Sequence, residues 1–191
     1  MINLKQTLQV MLLVVAGIGT AGLGASTFVA MSADELIEQS DAIVQGRVIR
    51  TNARWNDQGN MVVTDATVVV TDPIVGDPGA ELIVQLPGGQ VGDFLVEAHG
   101  FPQLSRGQEV ILFLSQDPTT GTSRIVGHSQ GHFEVVERLD GVTLAVPQME
   151  DGVSFLTPSG QPLPPPASAE LGVFKNSVRA QAARAGKPVR Q

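Results

Sequence analysis

Three histidines are the first residues to weigh for chemistry. His128 and His132 stand four apart in a run that reads as β-strand. In an extended strand that spacing is about 13 Å, too far for two ligands of one ion. His132 and Glu134 are better placed, two apart on one face at about 7 Å. His99 or Glu97 could add a ligand from a glycine-rich stretch, so His99, His132 and Glu134 are the candidates for a metal-dependent or other hydrolase. The competing reading of a His–Glu pair on the polar face of a strand is a solvated surface. The chain has no cysteine, hence no thiolate ligand or thiol nucleophile. Ser105, Ser115 and Ser129 lack the strand–turn–helix context of an activated serine. Asp93 and Glu97 share a loop, but two acids in a glycine-rich loop do not by themselves flank a cleft as a glycosidase requires. No catalytic constellation emerges, and the expectation is a non-enzyme without metal or cofactor.

Binding residues are scarcer but better placed. The chain has one tryptophan, no tyrosine and a net charge of −7, a poor match to nucleic acid, which wants a basic groove and stacking aromatics. Trp55 precedes the hairpin-loop sequence Asn56-Asp57-Gln58-Gly59-Asn60. The stretch 88–107 is too long for a minimal connection and carries Asp93, Phe94, Leu95, Phe101 and Leu104. Trp55, Asp93, Phe94 and Phe101 are therefore the candidate contact residues for a partner. The alternative is that the apolar residues of this loop cap the open end of a barrel.

The elements that must position these residues are mostly strands. Residues 1–26 have the three parts of an export signal: Lys5, an apolar centre over 8–18, and small residues from Gly22 to Ser26. The glycines within that stretch and its shortness argue against a retained span, and no later stretch is long enough to cross a bilayer. Ser32-Ala33-Asp34-Glu35 is a capping box opening a short helix that buries Leu36 and Ile37. The period then falls to two. Ala42, Val44 and Val48 share one face, and Gly46 marks a bend. Val62, Ala66, Val68 and Val70 follow in a second strand, and Leu82, Val84 and Leu86 in a third. Residues 110–114, Val-Ile-Leu-Phe-Leu, are apolar on both faces and must be covered on both. Ile125, Phe133 and Val135 share a parity in a long strand, and Asp140-Gly141 turns into a last one at Val142, Leu144 and Val146. A proline-rich linker, 158–167, leads to an amphipathic helix over 169–185 with Ser168 as N-cap and a stripe of Leu171, Phe174, Val178, Ala182 and Ala185.

This pattern predicts a mainly β fold: a small Greek-key barrel of the OB type with a short N-terminal helix and a C-terminal amphipathic helix. The strands are too few for a sandwich. The predicted organisation is a signal over 1–26, a barrel over 31–157, a linker over 158–167 and a helix with tail over 168–191.

Four phrases, in order, resemble a group of uncharacterised exported bacterial proteins. They are Ser40 to Val48 (S-D-A-I-V-Q-G-R-V), Pro87-Gly88-Gly89, Gly107 to Leu114 (G-Q-E-V-I-L-F-L) and Val126 to Phe133 (V-G-H-S-Q-G-H-F). By topology such chains are similar to netrin-like modules, among them the tissue inhibitors of metalloproteinases. The inhibitors act through a cysteine-led N-terminus, and a chain without cysteine cannot use that mechanism. The resemblance implies architecture and protein binding only.

The expected function is an exported, secreted or periplasmic protein-binding module whose partner is another exported protein, an exported protease being one candidate. A structural cell-envelope protein and the hydrolase are the alternatives. Absence of cysteine favours a bacterial source, and no nucleic acid and no stable membrane span after cleavage are expected.

Overall fold

The computed structural model describes residues 26–149, 153–164 and 166–190. The predicted signal, apart from Ser26, lies outside the described residues.

Two long strands form the wall of the fold. β2 (Ala42–Trp55) and β3 (Val62–Val75) pair antiparallel along their whole length. The register slips three times, at Ile43/Val44, Gln45/Gly46 and Val48/Arg50, and these slips coil the hairpin. Gly46 is the predicted bend: a Cβ there would lie 2.6 Å from Val68 Cγ1 and 2.7 Å from the Val69 carbonyl oxygen, so no side chain fits. β4 (Glu81–Pro87) pairs with β3, and β7 (Glu109–Gln116) pairs with the other edge of β2. β8 (Ser123–Ile125) closes the ring, antiparallel to β7 and parallel to β4 through Val84 and Ser123. The closed five-strand order β2-β3-β4-β8-β7-β2 is that of an OB-like barrel, as the sequence predicts.

Two cores follow from β7 being apolar on both faces. Val110, Leu112 and Leu114 point into the barrel with Val44, Val68 and Val84. Ile111 and Phe113 point outward and are covered by α1 (Ala33–Glu38) and α2 (Leu171–Arg184), through Leu36, Ile37, Val178 and Ala182. α1 opens on the predicted capping box. Ser32 Oγ accepts from the Glu35 backbone N–H at 3.2 Å, while the Glu35 carboxylate accepts from the Ser32 N–H at 2.7 Å. That backbone hydrogen bond, helped by the Ser32 hydroxyl, holds the Glu35 carboxyl below its ordinary range.

α2 is held by charge as well as by its apolar stripe. Lys175 Nζ donates to Asp72 Oδ2 at 2.8 Å and to Gln45 Oε1 at 2.9 Å, and Arg179 Nη2 reaches both Asp72 oxygens at 2.9 Å. Burial alone would raise the Asp72 carboxyl, but these hydrogen bonds outweigh it and hold it low. The two cations therefore face the barrel wall. Lys187 closes the contact from the tail: its ammonium donates to the Glu38 and Ser40 carbonyls, at the C-terminal end of α1 where a cation is favoured.

Four features differ from the sequence expectation. The long strand through Ile125 and Phe133 is two strands, β8 and β9 (His132–Glu137), split by a 3-10 turn at His128–Gly131. Gly127 and His128 both take left-handed backbone, φ 67 and 61, which extended pairing cannot continue. α2 begins at Leu171, after Glu170, because Ala169–Glu170 (β12) pairs with β10 (Thr143–Pro147), so Ser168 does not cap it. Ala185 is the exposed C-cap of that helix and not part of its buried stripe. β1 (Ser26–Val29) and β11 (Val153–Leu156) form a parallel pair that no short-range signal announces.

Candidate functional site

The histidines do not converge on an open site. β9 runs beside β7, and His132 stands opposite Leu112, on the face that looks into the barrel. It is 2 % exposed, and neither ring nitrogen has a hydrogen-bond partner among the described residues. Burial pushes its pKa down to about 4, so at neutral pH it is an uncharged imidazole in an apolar setting. The expected solvated polar face is thus an interior face, because β9 takes up the wall of the barrel where β8 leaves β7. Glu134, opposite Val110, is half-buried. His99 is exposed on the long loop. His128 is half-buried, packed on Phe28 at 4.7 Å and edge-on to Phe101 at 4.5 Å, and burial lowers its pKa. Among the described residues no three or more His, Cys, Asp or Glu side chains gather as a metal would need.

The long loop divides into two parts with different roles. Its first part is a hairpin of β5 (Gly89–Val91) and β6 (Phe94–Val96). Gly88 and Gly89 make the close approach possible. A Cβ on Gly88 (φ 86) would lie 2.6 Å from the Val96 carbonyl oxygen, and one on Gly89 (φ 130) would strike the Thr64 hydroxyl. Thr64 Oγ1 in turn donates to the Gly88 carbonyl at 2.7 Å, tying the hairpin to the barrel wall. The second part returns over the barrel. Leu104 and Pro102 are buried, Leu104 joins the barrel core, and the Gly100 carbonyl accepts from the Ser129 N–H at 3.2 Å.

These two parts separate the four candidate contact residues. Trp55, at the end of β2, stands edge-on to Phe94 with ring centroids 5.9 Å apart. Trp55 is 41 % exposed and Phe94 64 %. Asp93, in the hairpin turn, is exposed beside them. Phe101 is instead half-buried against His128, so it belongs to the cap. Leu95, 64 % exposed, follows Phe94 on the same hairpin, and Met61, 47 % exposed and not singled out by the sequence, immediately precedes β3.

The loop between β2 and β3 presents Trp55 on a braced frame. Arg54 Nε donates to Asp65 at 2.7 Å, Arg54 Nη1 reaches Asp57 at 3.2 Å, and Gln85 donates to the other Asp65 oxygen at 3.1 Å. The hydrogen bond that Arg54 donates to Asp65, then the charge of Asp65, raises the Arg54 pKa further above its already high value. Two depressions flank the ridge made by Pro87, Phe101 and Pro102. One, of about 300 Å³, has Thr51, Thr64, Leu95 and Glu97 on its walls; the other, of about 380 Å³, has Met61, Val63, Ile125 and His128. A third, of about 280 Å³, lies between α1, α2 and β11 and is mostly apolar. It depends on the β1–β11 pair, so no local signal in the sequence points to it.

No protein-family model, curated protein or solved structure matches this chain. No helix among the described residues is long and apolar enough to cross a membrane.

Proposed function

We propose that this chain is an exported, non-enzymatic module that binds another protein through the edge built by Trp55 and the β5–β6 hairpin. One observation carries the reading. Phe94, Leu95 and Val96 are consecutive and all exposed, on a hairpin braced by Trp55. An apolar run on a strand edge is a liability that natural proteins blunt unless something covers it. The netrin-like resemblance enters as architecture, and an exported protease is one partner class consistent with it. The burial of His132 disfavours the hydrolase built on His99, His132 and Glu134, since a catalytic imidazole must reach substrate.

The test is capture of the partner by cross-linking in the native host, with tagged parent, Trp55→Ser and Phe94→Ser chains. Both variants are expected to lose the captured protein while thermal stability falls by no more than about 1 kcal/mol, the scale of an exposed aromatic pair. Capture that survives both substitutions would place the binding surface elsewhere.

Export has its own test. Phe28 packs on Phe155 at 6.0 Å, and the Ala30 N–H donates to the Leu156 carbonyl at 2.7 Å. A cut after Phe28 would remove the first of these contacts, so N-terminal sequencing of the exported chain is expected to find a first residue between Gly24 and Phe28, Thr27 for a signal over 1–26. A retained Met1 would refute cleavage.

A further inference from the structure

β6 offers more than apolar side chains: it offers unpaired backbone. The hairpin turns through Gly92, with φ 58, and Asp93, so Val91 and Phe94 flank a two-residue turn. The pair flanking such a turn is hydrogen-bonded, and bonded pairs alternate with non-bonded ones along an antiparallel ladder. Gln90 and Leu95 are then the non-bonded pair, and the N–H and C=O of Leu95 face away from β5. Among the described residues β6 pairs with β5 alone, so this edge is open.

Charge decides what can occupy it. Asp93 and Glu97 bracket the apolar triplet, both are exposed, and neither takes part in an ion pair among the described residues. A second copy pairing antiparallel about Leu95 would set Phe94 opposite Val96 but Asp93 opposite Glu97, twice over. Parallel pairing in register would oppose each acid to itself. Like charges directly across a ladder are destabilising, so the bracket works against self-association while leaving the edge open to another chain.

We infer that β6 is the docking edge for an extended peptide strand whose apolar residues are bracketed by lysine or arginine. The inference rests on the protein-binding reading above and names its partner chemistry. Backbone hydrogen bonds at Leu95 supply the pairing, and opposite charges at the two ends set the register. Because the bracket is acidic at both ends, the same peptide pattern fits in either direction.

The experiment uses the purified exported chain and two labelled peptides, followed by fluorescence anisotropy at low salt. In one, valine, leucine and valine stand between two lysines; in its twin, glutamates replace the lysines. The lysine peptide is expected to bind about tenfold or more tightly than the twin, from two attractive pairs replaced by two repulsive ones. The double substitution Asp93→Lys with Glu97→Lys is expected to reverse that preference. Leu95→Pro, which removes the outward N–H, is expected to abolish binding of both. Equal affinity for the twins, no binding of the lysine peptide, or a preference untouched by the charge reversal would overturn the inference. If that happens while partner capture still depends on Trp55 and Phe94, strand pairing is wrong and the binding edge stands. Loss of that dependence as well would remove the edge itself.

Discussion

Leu112→Ala is expected to lower the stability of the folded chain by about 2–5 kcal/mol, the range for truncating a leucine in a core that cannot collapse around the gap. Leu112 has 0 % exposure and stands between Val44 of β2 and His132 of β9, in a strand that joins the barrel to its outer layer. Its inner face is packed by barrel strands on every side, and β7 is fixed from behind by Ile111 and Phe113 under the two helices. Neither layer can move inward to fill the cavity without straining the other. Urea denaturation measures the loss, with Ile83→Ala, at a residue 42 % exposed on β4, as the control expected within about 0.5 kcal/mol of the parent. A Leu112→Ala midpoint equal to that of the parent would contradict the placement of β7 at the centre.

The same strand shows what the sequence makes legible. Five consecutive apolar residues at 110–114 require cover on both faces, and both covers exist. Alternation at Ala42, Val44 and Val48 and the glycine at 46 identify the coiled first strand, and the capping box at Ser32 identifies α1. These are local signals, and they hold because nothing distant competes with them. The β1–β11 pair joins residues more than a hundred apart, through two four-residue strands with no turn between them to announce the contact. The break at Gly127–His128 is hidden for another reason. A left-handed glycine is ordinary, but a left-handed histidine is held there by Phe28 and Phe101, both remote in sequence.

The candidate site divides along the same line. Trp55 and Phe94 are legible singly, as the aromatic residues of a hairpin end and a long loop, but their contact depends on how the β5–β6 hairpin folds back on β2. Phe101, of the same type and in the same loop, goes to the cap, because the chain there turns inward, with Pro102 buried and Leu104 in the barrel core. Residue type cannot separate Phe94 from Phe101. The close approach at Gly88 and Gly89, which turns the first half outward, separates them.

Acid should destabilise this protein through His132 before most carboxylates respond. The unfolded chain binds a proton on this residue near its ordinary value of 6.5, and the folded chain only near about 4. Between those values the unfolded state holds more protons, so stability is fully present above pH 6.5 and falls as pH drops toward 4, below which the loss levels off. The full loss is roughly 3 kcal/mol, since a tenfold difference in proton affinity between the two states is worth about 1.4 kcal/mol. The half-buried His128, also lowered by burial, acts in the same direction, and the lowered Asp72 and Asp117 carboxyls give up stability only at more acid pH. His132→Leu separates this contribution from the others. It replaces an imidazole whose two buried nitrogens are unpaired among the described residues by an apolar side chain beside Leu112. Removing a buried polar group that has no partner is neutral or stabilising at neutral pH. Urea midpoints of parent and variant, compared from pH 7.5 to 4 at constant ionic strength, should therefore diverge steadily below pH 6.5 in favour of the variant. Parallel curves would mean that His132 takes up its proton in the folded state as readily as in the unfolded one, and that the imidazole does not sit inside the barrel.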